Sequence, residues 1–106
     1  MFVRNVAIRL KPETLGEFTR IFDNEVLPIL RKQTGFLDEI TFSTTPTGMD
    51  VTAISLWDSK EHAEAYNATG YPQVLKGLNK VLDGPTRVRV SHVISSTLQK
   101  GAAIAA

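Results

Sequence analysis

Residues 2–10, FVRNVAIRL, alternate in character. Phe2, Arg4, Val6, Ile8 and Leu10 share one face, and Val3, Asn5, Ala7 and Arg9 share the other. The first set is mostly apolar, so the pattern predicts a strand with one well-buried face. Pro12 and Glu13 then suit a helix start, since proline lacks the N–H that a first turn leaves unpaired and a carboxylate favours the positive helix end. Leu15, Phe18, Phe22, Val26, Ile29 and Leu30 recur at helical spacing, predicting a helix over 12–33. Pro28 lies inside it and predicts a kink or a fresh start near Val26–Pro28, because its ring clashes with the preceding turn. Gly35 is free to take the left-handed cap.

The strand period returns in FLDEITFSTT (36–45) and in VTAISLW (51–57). The turn PTGMD between them makes the pair an antiparallel hairpin. Asp58 or Ser59 can cap a second helix, predicted to run to about Asn67 and to break at ATGYP (68–72). A further helical piece over 72–82 carries Val74, Leu75, Leu78, Val81 and Leu82. The last strand spans 87–98, with Val88, Val90, His92 and Ile94 on one face and Arg87 and Arg89 on the other. The order is β-α-β-β-α-β, which predicts a ferredoxin-like α+β domain with a four-stranded antiparallel sheet and helices on one face. The domain is expected over residues 1–98, followed by a small-residue tail at 99–106. Val6, Ile8, Ile40, Phe42, Val88 and Val90 are expected on the open face. So much apolar surface predicts a homodimer in which two sheets pack together.

Composition changes this picture mainly by exclusion. A chain of 106 residues holds one core and leaves little room for a large enclosed cavity. Twelve basic and eleven acidic residues are scattered without a basic run, which argues against nucleic-acid binding. The absence of cysteine excludes disulfides and thiolate chemistry. No signal-peptide pattern opens the chain and no apolar run nears the ~20 residues of a membrane helix, so a cytoplasmic protein with no membrane partner is expected. No metal-ligand spacing and no Gly-rich phosphate loop are visible, so neither a metal nor a nucleotide cofactor is expected.

The segments VLPILRKQTGFLDEI (26–40) and DSKEHAEAYNATGYPQVLKGL (58–78), with the hairpin ending in Leu56-Trp57 between them, resemble the antibiotic biosynthesis monooxygenase family of dimeric α+β barrels. The resemblance covers about residues 3–96. It implies paired sheets, and for some members a cofactor-free monooxygenase acting on a quinol-like or polycyclic aromatic molecule. Haem-degrading members use an Asn on strand 1, which Asn5 matches. Tyr66 and Lys76 stand where those members carry a Trp and an iron-binding His, so the resemblance does not extend to haem degradation.

Six residues are candidates for chemistry. Asn5 has an amide that can hold a substrate oxygen, or simply bond within the sheet layer. Trp57 can wall a pocket or anchor the second helix. His62 and Tyr66 share a helical face at i, i+4; His62 can accept a phenolic proton, or stand solvated in the first turn. By the resemblance, Tyr66 and Tyr71 line a pocket between helices and sheet. His92, on an apolar strand face, reads either as a buried neutral base or as a core or interface histidine. Asn5, Tyr66 and His92 are the expected catalytic set, with Trp57, His62 and Tyr71 as binding residues. The competing reading is a non-enzymatic ligand-binding or structural dimer of the same fold.

Overall fold

A computed structural model describes residues 1–98. The tail expected at 99–106 lies outside the described residues. Four strands, β1 (Phe2–Arg9), β2 (Phe36–Ser43), β3 (Asp50–Trp57) and β4 (Arg87–His92), form one antiparallel sheet in the order β2-β3-β1-β4. All helices cover one face, as the ferredoxin-like pattern predicts. They are α1 (Leu15–Ile21), a π-helical turn (Phe22–Val26), α2 (Leu27–Arg31) and α3 (Lys60–Leu78).

The register decides which residues face the helices. Val6 sits opposite Ala53 and Val88, and Phe2 opposite Trp57 and His92. Directly opposed residues share a face. Phe2, Arg4, Val6 and Ile8 are buried under the helices. Val6 and Ile8 are therefore core residues, and Val88 and Val90 share their side, which corrects their expected place on the open face. The open face instead carries Val3, Asn5, Ala7, Ile54 and Leu56, with Ile40 and Phe42 exposed on β2.

The first helix starts at Leu15 rather than Pro12. Glu13 takes a positive φ of 60° and Thr14 turns back to bond the Lys11 carbonyl at 2.7 Å, so the chain is still turning there. Pro28 acts on the helix as expected, but without breaking it. Leu27 N–H reaches back five residues to the Phe22 carbonyl, which widens the turn just before the proline ring. α3 is the larger correction. It runs unbroken through Gly70 and Pro72 to Leu78. Ala63, Tyr66, Gly70, Val74 and Leu78 form one buried stripe along it. That continuous burial outweighs the backbone bond lost at Pro72. Gly70 is required there, because a Cβ would lie 2.7 Å from the Tyr66 ring. Ser59 is the cap, accepting the His62 backbone N–H at 3.2 Å. β4 stops at His92 rather than 98, because its one neighbour, β1, begins at Phe2 opposite it.

Candidate functional site

Between the helices and the sheet lies an apolar cavity. Its walls are Phe22, Val26 and Leu30 from the π turn and α2, and Tyr66, Tyr71 and Val74 from α3. Arg4, Glu39 and Ser55 from the sheet add its polar atoms. The water-accessible core holds about 40 Å³, and with the open mouth the empty space reaches about 450 Å³. That core is only the size of a few water molecules. A ligand of drug size needs several hundred Å³ and would enter only as a wall side chain moves.

Arg4 is the unexpected member. It stands in the buried, otherwise apolar face of β1 and is 3% exposed. Its Nη1 donates to Asn67 Oδ1 at 2.9 Å. Nε and Nη2 are buried with no hydrogen-bond partner. The guanidinium instead lies over two aromatic faces, 4.7 Å from the Tyr71 ring and 5.2 Å from that of Tyr66. None of the ion pairs among the described residues includes it. Burial lowers its pKa, and the two nearby tyrosines oppose that shift.

Glu39 is the cavity's acid. It is half-buried on β2, accepts the Thr41 hydroxyl, and has its pKa raised by burial, with Asp38 and Asp23 adding to the rise and Thr41 opposing it. Tyr66 is pushed far above the usual phenol range by burial, against the pull of Arg4. It is therefore a neutral wall rather than a proton acceptor. Tyr71 is half-buried and its hydroxyl meets Thr86 Oγ1 at 2.6 Å.

The other expected site residues lie elsewhere. Trp57 is fully buried behind Tyr66, stacked on it at 4.9 Å, with its indole N–H on Ser55 Oγ at 2.9 Å. It anchors rather than lines. His62 sits at the start of α3, 2.6 Å from Asp58 Oδ1, and packs over Gly35. Gly35 has φ 85°, and a Cβ there would overlap both Asp58 and His62. Their hydrogen bond holds the Asp58 carboxyl below its usual range.

Asn5 faces the open side of the sheet, paired with Ile54 and Arg89, so sheet and core separate it from Tyr66. His92 is exposed on the edge strand, with the Phe2 ring edge-on to it at 5.1 Å. It is not the buried base expected from the strand pattern, because β4 projects beyond the cover of the helices. The set Asn5, Tyr66 and His92 therefore does not converge within one chain. The residues the cavity does bring together are Arg4, Glu39, Tyr66 and Tyr71. Among the described residues no cluster of three or more His, Asp or Glu is placed to hold a metal, and no helix is long and apolar enough to cross a membrane.

A four-stranded antiparallel sheet with helices on one face, over a small aromatic-walled cavity, defines a ferredoxin-like α+β protein. The model of the antibiotic biosynthesis monooxygenase family matches residues 1–75, and the chain belongs to that family. No curated protein matches the sequence. Solved structures share its fold. A monooxygenase from the gene ActVA-Orf6 of Streptomyces coelicolor, solved with the ligand nanaomycin D, superposes with a TM-score of 0.75 at 20% identity, covering 92% of this chain and 91% of that one. SnoaB, a cofactor-independent oxygenase from Streptomyces nogalater, gives 0.75 at 11% identity over 91% and 95%. A protein of unknown function from Nitrosomonas europaea gives 0.77 at 11% identity over 92% and 93%.

Proposed function

We propose that this chain is a cofactor-independent monooxygenase acting on a quinol-like or polycyclic aromatic molecule. The supporting observation is an apolar, aromatic-walled cavity holding one carboxyl, Glu39, whose pKa burial moves toward neutrality. A carboxylate so placed is a proton acceptor matched to an acidic phenol or enol. Glu39 takes the substrate proton, and the substrate anion passes one electron to O₂. The two radicals join as a peroxide anion at carbon, which takes the proton back from Glu39 to give the hydroperoxide. Loss of water then leaves a new carbonyl, so one oxygen atom enters the product and the other departs as water. The cavity's contribution is to exclude bulk water and keep the aromatic ring in place. Tyr66 and Tyr71 form its walls.

The exposed Ile40 and Phe42, continuous with Ile54, Leu56 and Val3, form the surface for a second copy. In such a homodimer Asn5 lies at the interface rather than in the cavity. On this reading the protein works in the cytoplasm. The small size of the cavity core favours a second reading, a structural or ligand-binding dimer with no turnover.

Oxygen uptake with a panel of anthrones and dihydroxynaphthalenes separates the two. The oxygenase reading expects ¹⁸O from labelled O₂ in the product and a roughly 10²-fold or greater loss of kcat in Glu39→Gln, the scale of a lost general base. Oxygen uptake no faster than in protein-free buffer across the panel would leave the dimer reading.

A further inference from the structure

The guanidinium of Arg4 is a buried charge with two unpartnered nitrogens among the described residues. A charge held out of water is ordinarily paired and fully hydrogen-bonded. Among the described residues one N–H bonds a neutral amide, two nitrogens have no hydrogen-bond partner, and no carboxylate pairs with the charge. Glu39 lines the same cavity but does not bond to Arg4 among the described residues. The stack against Tyr66 and Tyr71 compensates only in part, since a cation–π contact is worth ~0.5–2 kcal/mol. A second opening reaches Arg4 from its other side. This is a groove between α3 and β4 lined by Lys60, Glu64, Asn67 and Val90. Arg4 thus lines both the cavity and this groove.

We propose that Arg4 is the anion subsite of the cavity, and that its two unpaired nitrogens receive the ionised oxygen of an aromatic phenolate or enolate. Asn67 is the positioning residue: its carbonyl oxygen holds Nη1 and leaves Nε and Nη2 for the ligand. Neither nitrogen is open to solvent, so an arriving ligand must displace a ring. Tyr66 is fixed by its stack on Trp57. Tyr71, half-buried and tethered at its tip to Thr86, is the ring that gives way. Glu39 is the carboxyl facing the same space, and a proton transferred to it would place a neutral acid, not a second anion, beside the new phenolate. The subsite selects for charge as well as shape. A neutral ether of the same size leaves the guanidinium unpaired, whereas a phenolate pairs it.

This assignment deepens the oxygenase reading and rests on the same cavity, yet it can be tested without turnover. The probe is 4-nitrophenol, whose ionised form absorbs in the visible range and whose single ring is small. At the pH where the free probe is half-ionised, saturating wild-type protein should raise the phenolate band, with the anion preferred at least tenfold over the neutral phenol. Arg4→Met should abolish or reverse that preference. Asn67→Asp, which gives the guanidinium a carboxylate of its own, should reduce it severalfold while circular dichroism stays native.

The assignment is overturned if the wild type binds no probe by calorimetry, if the band falls or does not move, or if Arg4→Met leaves the preference intact. Tighter binding of 4-nitrobenzoate than of 4-nitrophenolate by tenfold or more would also overturn it, as it would make the subsite a carboxylate site. Phenolate binding with no oxygen uptake on any quinol would keep the subsite and remove the oxygenase. Oxygen uptake with no phenolate preference would do the reverse.

Discussion

Trp57 and Arg4 lie on the same side of the same sheet, on neighbouring strands, and both touch Tyr66. They are 0% and 3% exposed. Around Trp57 everything is matched. Its ring stacks on Tyr66, Phe36 meets it edge-on at 5.6 Å, and its N–H is satisfied by a buried serine. Around Arg4 the match is incomplete, with charge, unpaired donors and adjoining empty space. Equal burial therefore hides opposite contributions. One end of the interlayer space is finished and holds the fold together, while the other is left open at some cost to stability. Incompleteness of this kind concentrates where a ligand completes the structure.

The contrast can be broken most forcefully at Trp57. Trp57→Ala removes the largest fully buried side chain and should lower the unfolding free energy by about 3–5 kcal/mol, the usual range for such a truncation. Urea denaturation measures it, and a loss under about 1 kcal/mol would mean that the stack is not an anchor. Arg4→Met should move the other way. Replacing a buried, unpaired charge with an apolar side chain of similar length is neutral or stabilising, so a gain of about 1 kcal/mol is expected in the absence of ligand. A large loss would show that the cation–π stack outweighs desolvation and that the two ends are alike after all.

The smallest effect lies in pH. Burial raises the Glu39 pKa, so the folded protein keeps this proton to a higher pH than the unfolded chain. The stability this confers is fully present below the ordinary glutamate value and is lost as pH rises through the raised folded value. Glu39→Gln removes that loss. The variant should match the wild type in acid and exceed its melting temperature modestly toward neutrality, and parallel melting curves at every pH would contradict a desolvated Glu39.

Much of the fold was legible in the sequence because period and punctuation agree. Alternation in 2–10, 36–45 and 51–57, together with the Gly-containing turns, predicted three of the strands to within two residues. The break expected at ATGYP was wrong because local proline and glycine signals cannot register a buried stripe running past them on α3. His92 was misjudged for a related reason. Alternation shows that a strand has an apolar face, but not whether anything covers that face at a sheet edge. The site was partly visible. Tyr66 and Tyr71 followed from the family resemblance. Arg4 was present as the one charged residue in the apolar face of β1, although arginine's usual exposure argues against reading it as buried. Glu39 gave no signal, since its importance depends on which helix lies over β2.

The π turn before Pro28 carries a consequence for the lineage of such chains. Phe18, Phe22, Val26 and Leu30 recur every fourth residue, and all are buried. At about 100° per residue an ordinary α-helix would rotate that series steadily away from the sheet. The widened turn at Phe22–Val26 absorbs part of the drift. A single-codon deletion within it would restore a regular helix and leave Leu30 near its present phase, because the π turn already absorbs the rotation of one residue. Insertions and deletions in this short segment therefore offer a way to resize the chamber while leaving every strand where it is.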